Sequence, residues 1–147
     1  MRRLWRPDVT LERLRESGRR TLVESLGIEL VELGDDYLRG RMPVDHRTCQ
    51  PMRILHGGAS VALAETLASV AATATVDCTK AVCVGQEVNA NHLRKAAEGT
   101  IVIGTARAFH IGSLSQVWGV EICDESGRRI CVSRVTIAVL ALRPVPQ

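Results

Sequence analysis

The sequence predicts an α+β domain in which an antiparallel, highly twisted sheet wraps one long central helix. Two observations carry this expectation. The run from Ile54 to Val76 (ILHGGASVALAETLASVAATATV) is apolar or small on every face when drawn as a helix, the pattern of a helix enclosed by other elements. Segments of alternating or β-branched character, separated by turn residues, lie on both sides of it, two before and three or four after. No repeat or linker divides the 147 residues. The chain is therefore read as a single domain over 1–147, long enough to bury a core without covalent staples.

Each element has a local reason. Residues 1–27 form an N-terminal helical segment, in which Leu11 to Leu26 reads as one or two short helices, broken around Gly18 and stopped at Gly27. Ile28 to Leu33 alternates as a strand, Gly34-Asp35-Asp36 turns, and Tyr37 to Met42 returns to complete a hairpin. A connection of about fifteen residues from Pro43 to the Gly57-Gly58 pair is long for a compact domain, which marks it as functional or disordered. It carries Gln50, Pro51 and His56. After the helix, Ala81 to Leu93 and Thr100 to Phe109 are strand-like, and His110 to Ser115 reads as a polar loop. Val117 to Cys123 and Arg128 to Leu142 supply the remaining strands, with Asp124-Glu125-Ser126-Gly127 as a turn. The alanines of the helix (Ala59, Ala62, Ala64, Ala68, Ala71, Ala72, Ala74) let a sheet approach its axis closely.

Composition narrows the function. Apolar residues make up 46% and charged residues 24% of the chain, ordinary for a globular protein. The only aromatic residues are Trp5, Tyr37, Phe109 and Trp118, so an aliphatic, Ala-rich core is expected. A net charge of +3 and so few stacking platforms count against nucleic acid as a partner. Seven arginines fall in the first twenty residues, but Asp8, Glu12 and Glu16 are interleaved with them. That favours a solvated amphipathic helix over an acid-poor transit peptide. The 54–76 run approaches membrane-spanning length, and Glu65, His56 and its hydroxyl residues argue against that use. Five scattered cysteines without a C-x-x-C pair read as reduced thiols in a cytoplasmic protein.

Glu65 is the residue that points to chemistry. A carboxylate two turns into a buried helix is costly unless it is paired, protonated or used. A structural reading pairs it with Arg94 or Arg134; a catalytic reading is favoured by what precedes it. His56-Gly57-Gly58 stands at the start of the helix, where unpaired N–H groups and the positive end of the dipole gather. Gly57 N–H is thus a candidate oxyanion donor, and Ser69, at i+4 from Glu65, places a hydroxyl beside the carboxylate. Eight residues of helix separate Gly57 from Glu65 by about 12 Å. One chain cannot bring both to a single carbonyl, so a twofold dimer with antiparallel helices, sharing two equivalent sites, is expected. His46, Cys49 and His56 form an incomplete metal set, and Cys49 is an alternative nucleophile. No serine elbow, phosphate loop or dinucleotide fingerprint is present.

The segments MPVDHRTCQP (42–51), LHGGASVALAETLASVA (55–71), VGQEVNANHLR (84–94) and HIGSLSQVWGVEICDESGR (110–128) resemble the hotdog-fold acyl-CoA thioesterases of the 4-hydroxybenzoyl-CoA and phenylacetate-degradation type. Within them the similarity is greatest to the branch acting on 1,4-dihydroxy-2-naphthoyl-CoA or proofreading aryl carrier proteins. The resemblance covers Leu11 to Leu140. It implies Glu65 as nucleophile or general base, Gly57 as oxyanion donor, Gln50 and His56 bracketing the thioester, and Ser69 assisting. It also implies coenzyme A contacts at Gly85, at His92, Leu93, Arg94 and Lys95, and at His110, Ile111, Gly112 and Ser113. Basic residues that often follow Ser113 in relatives are here Leu114 and Ser115. The implied reaction is hydrolysis of an aromatic, hydroxyaryl acyl-CoA. It needs no cofactor, since CoA enters as part of the substrate. The implied assembly is a homodimer with shared sites that pairs into a tetramer. A medium-chain acyl-CoA or acyl-carrier-protein thioesterase, and a non-catalytic acyl-CoA-binding module, are the alternatives.

Overall fold

Helix α3 (Gly57–Thr73) organises the molecule, because every strand from β2 to β6 packs against it. The computed structural model describes residues 3–142. Ahead of α3 lie α1 (Leu11–Ser17), α2 (Leu22–Ser25), β1 (Glu29–Leu33) and β2 (Tyr37–Pro43). After it come β3 (Ala81–His92), β4 (Ile101–Ile111), β5 (Ser115–Asp124) and β6 (Arg129–Ala141). The strands form one antiparallel sheet in the order β1-β2-β4-β5-β6-β3. The expected α+β architecture, a sheet wrapped around one helix, is the one observed.

Local chemistry starts and stops the elements where the sequence placed them. Thr10 caps α1 by accepting from Arg13 N–H, and Thr21 caps α2 by accepting from Val23 N–H. The break at Gly18 and the stop at Gly27, whose φ of +68° suits glycine, are both present. The β1–β2 hairpin turns at 34–36, and the β5–β6 turn closes with Gly127 at φ +81°. The His110–Ser115 loop is shorter than expected: β4 continues through His110 and Ile111, which pair with Val117 and Gln116 after a bulge at Ala108/His110. β-pairing wins over the polar character of the segment there, leaving only residues 112–114 to turn.

The helix is buried on one face, not on all of them. Ala59, Ser60, Leu63, Ala64, Leu67, Ala68, Ala71 and Ala72 are buried, a stripe of adjacent pairs four residues apart that faces the concave sheet. Close approach is built into the sheet. Gly40 on β2 pairs directly with Gly104 on β4, and a methyl group on either would stand 2.8 Å or 2.6 Å from a Leu67 Cδ atom. Leu67 thus fills a notch that only a glycine pair leaves open. On the opposite face Glu65 is exposed in the protomer, contrary to the burial expected of it. The sheet encloses the helix from one side only, so small residues on the other side report an open flank.

The core is less purely aliphatic than the composition implied. Trp5 stacks on Trp118 with ring centroids 6.1 Å apart and planes 10° from parallel. Both rings are buried. Trp118 Nε1 donates to Gln116 Oε1 (2.9 Å), and the fully buried Gln116 donates through Nε2 to Thr75 Oγ1 (2.9 Å). Leu4 N–H donates to Asp35 O and Arg6 N–H to Ala74 O. The segment before α1 is therefore pinned to the hairpin turn and to the C-terminal end of α3.

Filling the glycine notch should be costly: Gly104→Val is expected to lose about 1–3 kcal/mol in urea denaturation, the usual range for overpacking a tight core. An unchanged midpoint would show that the helix does not depend on the notch. Acid should weaken the β5–β6 turn in a defined window. Hydrogen bonds from Ser126, together with Arg128 N–H and guanidinium, hold the Asp124 carboxyl at about 2 against an ordinary 3.8. A depressed folded value contributes stability that is complete above about pH 4 and is lost as pH falls toward 2. Thermal melting should drop across that interval, and Asp124→Asn should flatten the drop.

Candidate active site

Helix α3 presents two chemically distinct places, one at its start and one two turns along. At the start, His56 is the N-cap and its Nδ1 accepts from Gly58 N–H at 2.8 Å. That leaves Gly57 N–H, which donates to no group among the described residues, at the positive end of a helix of 17 residues. His92, at the end of β3, lies across Gly57: a methyl group there would stand 2.8 Å from His92 Nε2. The backbone at Gly57 is thus open to a ligand and closed to a side chain.

A cleft of about 390 Å³ opens over this N-terminus, lined by Gln50, Gly57, Ser60, His92, Arg94 and Lys95 among others. Gln50 Oε1 accepts from Met52 N–H, which fixes the carboxamide. Arg94 is held by donation from Nη1 to Arg129 O (2.8 Å). Neither Arg94 nor Lys95 forms an ion pair with a carboxylate among the described residues. Their charge is free to meet an anion.

Glu65 occupies the second place. Its carboxylate rests on β3 at Gly85, where a methyl group would come within 2.1 Å of Oε1. No ion pair to Arg94 or Arg134 forms, so the structural reading of this acid finds no support. Glu65 and Ser69 line a second, shallower hollow of about 290 Å³ with Val23, Thr66 and Val70. Gly85 was expected to touch coenzyme A; in the protomer it is the seat of the Glu65 side chain. β3 runs back along α3, with Gly85 beside Glu65 and His92 beside Gly57.

The expected site residues accordingly fall into three groups. Gln50, Gly57 and His92, Leu93, Arg94 and Lys95 share the first cleft, with His56 as its cap. Glu65, Ser69 and Gly85 share the second place. His110, Ile111, Gly112 and Ser113 line neither. They sit at the end of β4 and its turn, where Gln116 pairs with Ile137 and Ile137 with Gly85, so the turn lies at the Gly85 end of the sheet two ladders away. Cys49 is half-buried beside the β-bridge to Leu55, and no three His, Cys, Asp or Glu side chains gather as metal ligands among the described residues. Val23 and the wall it forms with α1 were missed, since one valine in a short amphipathic helix carries no signal of a site.

An antiparallel sheet wrapped about one helix, with an open N–H at the helix start and a free carboxylate two turns on, defines a hotdog-fold enzyme. The chain belongs to the Thioesterase superfamily, whose family model matches residues 52–131. It is 48% identical to the 1,4-dihydroxy-2-naphthoyl-CoA hydrolase of Escherichia coli over 93% of this chain and 99% of that one. It is 49% identical to the proofreading thioesterase EntH of Cronobacter turicensis over 93% of this chain and 98% of that one. Among solved structures, a thioesterase from Haemophilus influenzae superimposes with a TM-score of 0.91 at 41% identity, covering 98% of this chain and 99% of that one. A Pseudomonas aeruginosa thioesterase gives the same score at 44% identity over 95% of this chain and 99% of that one. The protein is a thioesterase-family hydrolase. No helix among the described residues is long and apolar enough to cross a membrane.

Crowding at Gly85 supplies a test of how Glu65 is held. If Glu65 is the reacting group, Gly85→Ala should displace the carboxylate and lower kcat for thioester hydrolysis by about 10- to 100-fold with little change in KM, the consequence of misplacing such a group by about an ångström. An unaltered kcat would mean that the seat on β3 is irrelevant to turnover.

Proposed function

We propose that the protein hydrolyses an aromatic, hydroxyaryl acyl-CoA to the free acid and CoA, with Glu65 as general base or nucleophile. The observation that carries this is the exposed Glu65 carboxylate, held on Gly85 and unpaired, on the same helix whose first N–H is open. The relative named 1,4-dihydroxy-2-naphthoyl-CoA hydrolase supports the acyl class. The thioester carbonyl accepts from Gly57 N–H, which stabilises the oxyanion as the carbonyl carbon becomes tetrahedral. Glu65 takes a proton from water as the water oxygen attacks, or itself attacks to give an anhydride that water then opens. The C–S bond breaks, and the thiolate, with a parent thiol pKa of about 8.5, leaves with little acid assistance. Gln50 and His56 flank the carbonyl, Ser69 hydrogen-bonds the water or carboxylate, and Arg94 and Lys95 meet the phosphates, with His92 and Leu93 along the pantetheine and Gly85 and His110–Ser113 at the CoA periphery. No cofactor is required.

The spacing of Gly57 and Glu65 demands a second chain. β3 is a twelve-residue edge strand paired only with β6, and such an edge is a ready template for pairing with a copy of itself. Joining two protomers along β3 sets their α3 helices side by side and antiparallel, so that Gly57 of one approaches Glu65 of the other. Pairing of dimers into a tetramer is supported by Phe109 and Leu114, which are 70% and 80% exposed in the protomer. The protein acts in the cytoplasm on this reading. A carrier protein bearing the acyl group is the second reading, favoured by the 112–114 turn, whose Leu114 offers CoA phosphates no charge.

Thiol release from aryl and alkyl CoA thioesters tests the activity, and mixed dimers test the shared site. Glu65→Gln should collapse kcat while melting as wild type does. Gly57→Pro removes one N–H at the first helical position, where the backbone accepts proline and the His92 side chain must give way, and it too should be inactive. Refolding the two together in equal amounts should restore roughly a quarter of wild-type activity, because half the dimers are mixed and each holds one intact site. A mixture as inactive as its components would sink the shared site; near-wild-type turnover by Glu65→Gln would sink the mechanism.

A further inference from the structure

The hollow beside Glu65 does not end there. A second cavity of about 290 Å³ lies between α1, α2, β1 and α3, where Leu14, Val23, Ile28, Leu30 and Val70 make a largely apolar lining to which Arg15, Arg19, Glu24 and Glu29 also contribute. It shares Val23, Thr66 and Val70 with the hollow that holds Glu65 and Ser69. An apolar path thus leads from the carboxylate to the space beneath the N-terminal helices. The helices that roof it are lightly attached. Neither α1 nor α2 has a buried residue, and a hydrogen bond from Arg15 Nε to Leu30 O (2.7 Å) fastens α1 to β1. Val23 packs at the break between them, 3.0 Å from where a methyl group on Gly18 would stand.

One polar side chain belongs to both spaces. Thr66 follows Glu65 on the helix and lines each hollow, yet its hydroxyl forms no hydrogen bond among the described residues. A hydroxyl set in an apolar wall selects a ligand group that pairs with it, because leaving it unpaired against an apolar ligand is unfavourable. Neither α1 nor α2 lies in the matched family segment, which begins at residue 52.

We infer that the cavity under α1 and α2 is the acyl chamber, with Val23 limiting the size of the ring system and Thr66 hydrogen-bonding a ring hydroxyl. This rests on the thioesterase reading of Glu65 and says where its acyl group lies and which side chains select it. A chamber of this volume lies at the lower end of small-molecule sites. It suits one or two fused rings carrying a hydroxyl near the carbonyl.

Two ratios of kcat/KM decide it, taken on acetyl-, 2-naphthoyl- and 1-hydroxy-2-naphthoyl-CoA. In Val23→Trp the 2-naphthoyl to acetyl ratio should fall about 30-fold, within the range set by altering the bulk of an apolar specificity pocket. In Thr66→Val, which keeps the shape and removes the hydroxyl, the hydroxynaphthoyl to naphthoyl ratio should fall about 5-fold, the worth of one hydrogen bond. An unchanged first ratio overturns the chamber, and an unchanged second ratio overturns Thr66 as the reader of the hydroxyl. If wild-type protein releases thiol from none of the three, the proposed activity has failed, and calorimetry with free 1-hydroxy-2-naphthoate then judges the chamber. Binding that Val23→Trp abolishes upholds it; no binding to wild type overturns it.

Discussion

The one-sided grip of the sheet on α3 is the constraint from which the rest follows. Leu67 enters the notch between Gly40 and Gly104, and the alanines around it let the backbone of the helix lie close to the strands. Close approach gives dense packing on that face. It also fixes which way the other face must point. Val61, Ala62, Glu65, Thr66, Ser69 and Val70 are all left outside the buried stripe, and β3, one of the two edge strands, borders Glu65. Position of the acid, the apolar hollow beside it and the open edge are three consequences of one packing decision.

That decision places the open Gly57 N–H and the Glu65 carboxylate on one rigid body. A helix cannot bend two turns into contact, so on the proposed mechanism Gly57 and Glu65 of one chain serve separate carbonyls. On the same reading the open flank and free edge answer this together, since a surface bearing half of each site is also the surface suited to a second protomer. Charge is distributed to match. Arg94 and Lys95, which form no ion pair among the described residues, lie beside Gly57, while the hollow beside Glu65 is lined by Val23, Thr66, Ser69 and Val70, with no cation. A thioester has the same asymmetry, with a polyanionic or carrier-borne thiol on one side of the reacting carbon and an apolar acyl group on the other.

Much of this was legible in the sequence, for reasons that can be traced. The helix was announced by an uninterrupted run of small residues, and its start by the Gly57-Gly58 pair after His56. The strands followed from alternation and from turn signals such as Gly34-Asp35-Asp36. What failed did so because sequence records size and polarity but not what lies opposite. The same alanines fit a helix enclosed on all sides or on one, and so Glu65 was expected to be buried in the protomer. The polar His110 was assigned to a loop because local character cannot show that Val117 waits across the ladder. Trp5, in a stretch full of arginine, gave no hint of stacking on Trp118 from the far end of the chain. Gly85 carries no local mark of its neighbour, Glu65, whose carboxylate lies against it.

The apolar side of Glu65 is bounded by parts of the chain that lie outside the matched family segment. The matched segment from residue 52 to 131 includes α3, β3, β4, β5 and the start of β6, and thereby Gly57, Glu65, Gly85 and most of the cationic cleft. Nothing in that shared segment closes the apolar side of Glu65. Closure comes from α1 and α2, whose attachment is a hydrogen bond from Arg15 and the packing of Leu11, Leu14 and Val23. Beyond them, Trp5 is stacked rigidly into the core. A wall fixed at its foot and loosely held along its length can admit a bulky acyl group without disturbing the sheet that positions the carboxylate. On the proposed reading, catalysis and recognition of the ring hydroxyl rest on a rigid segment that must not change shape, and the limit on acyl size on a lighter one that is free to vary.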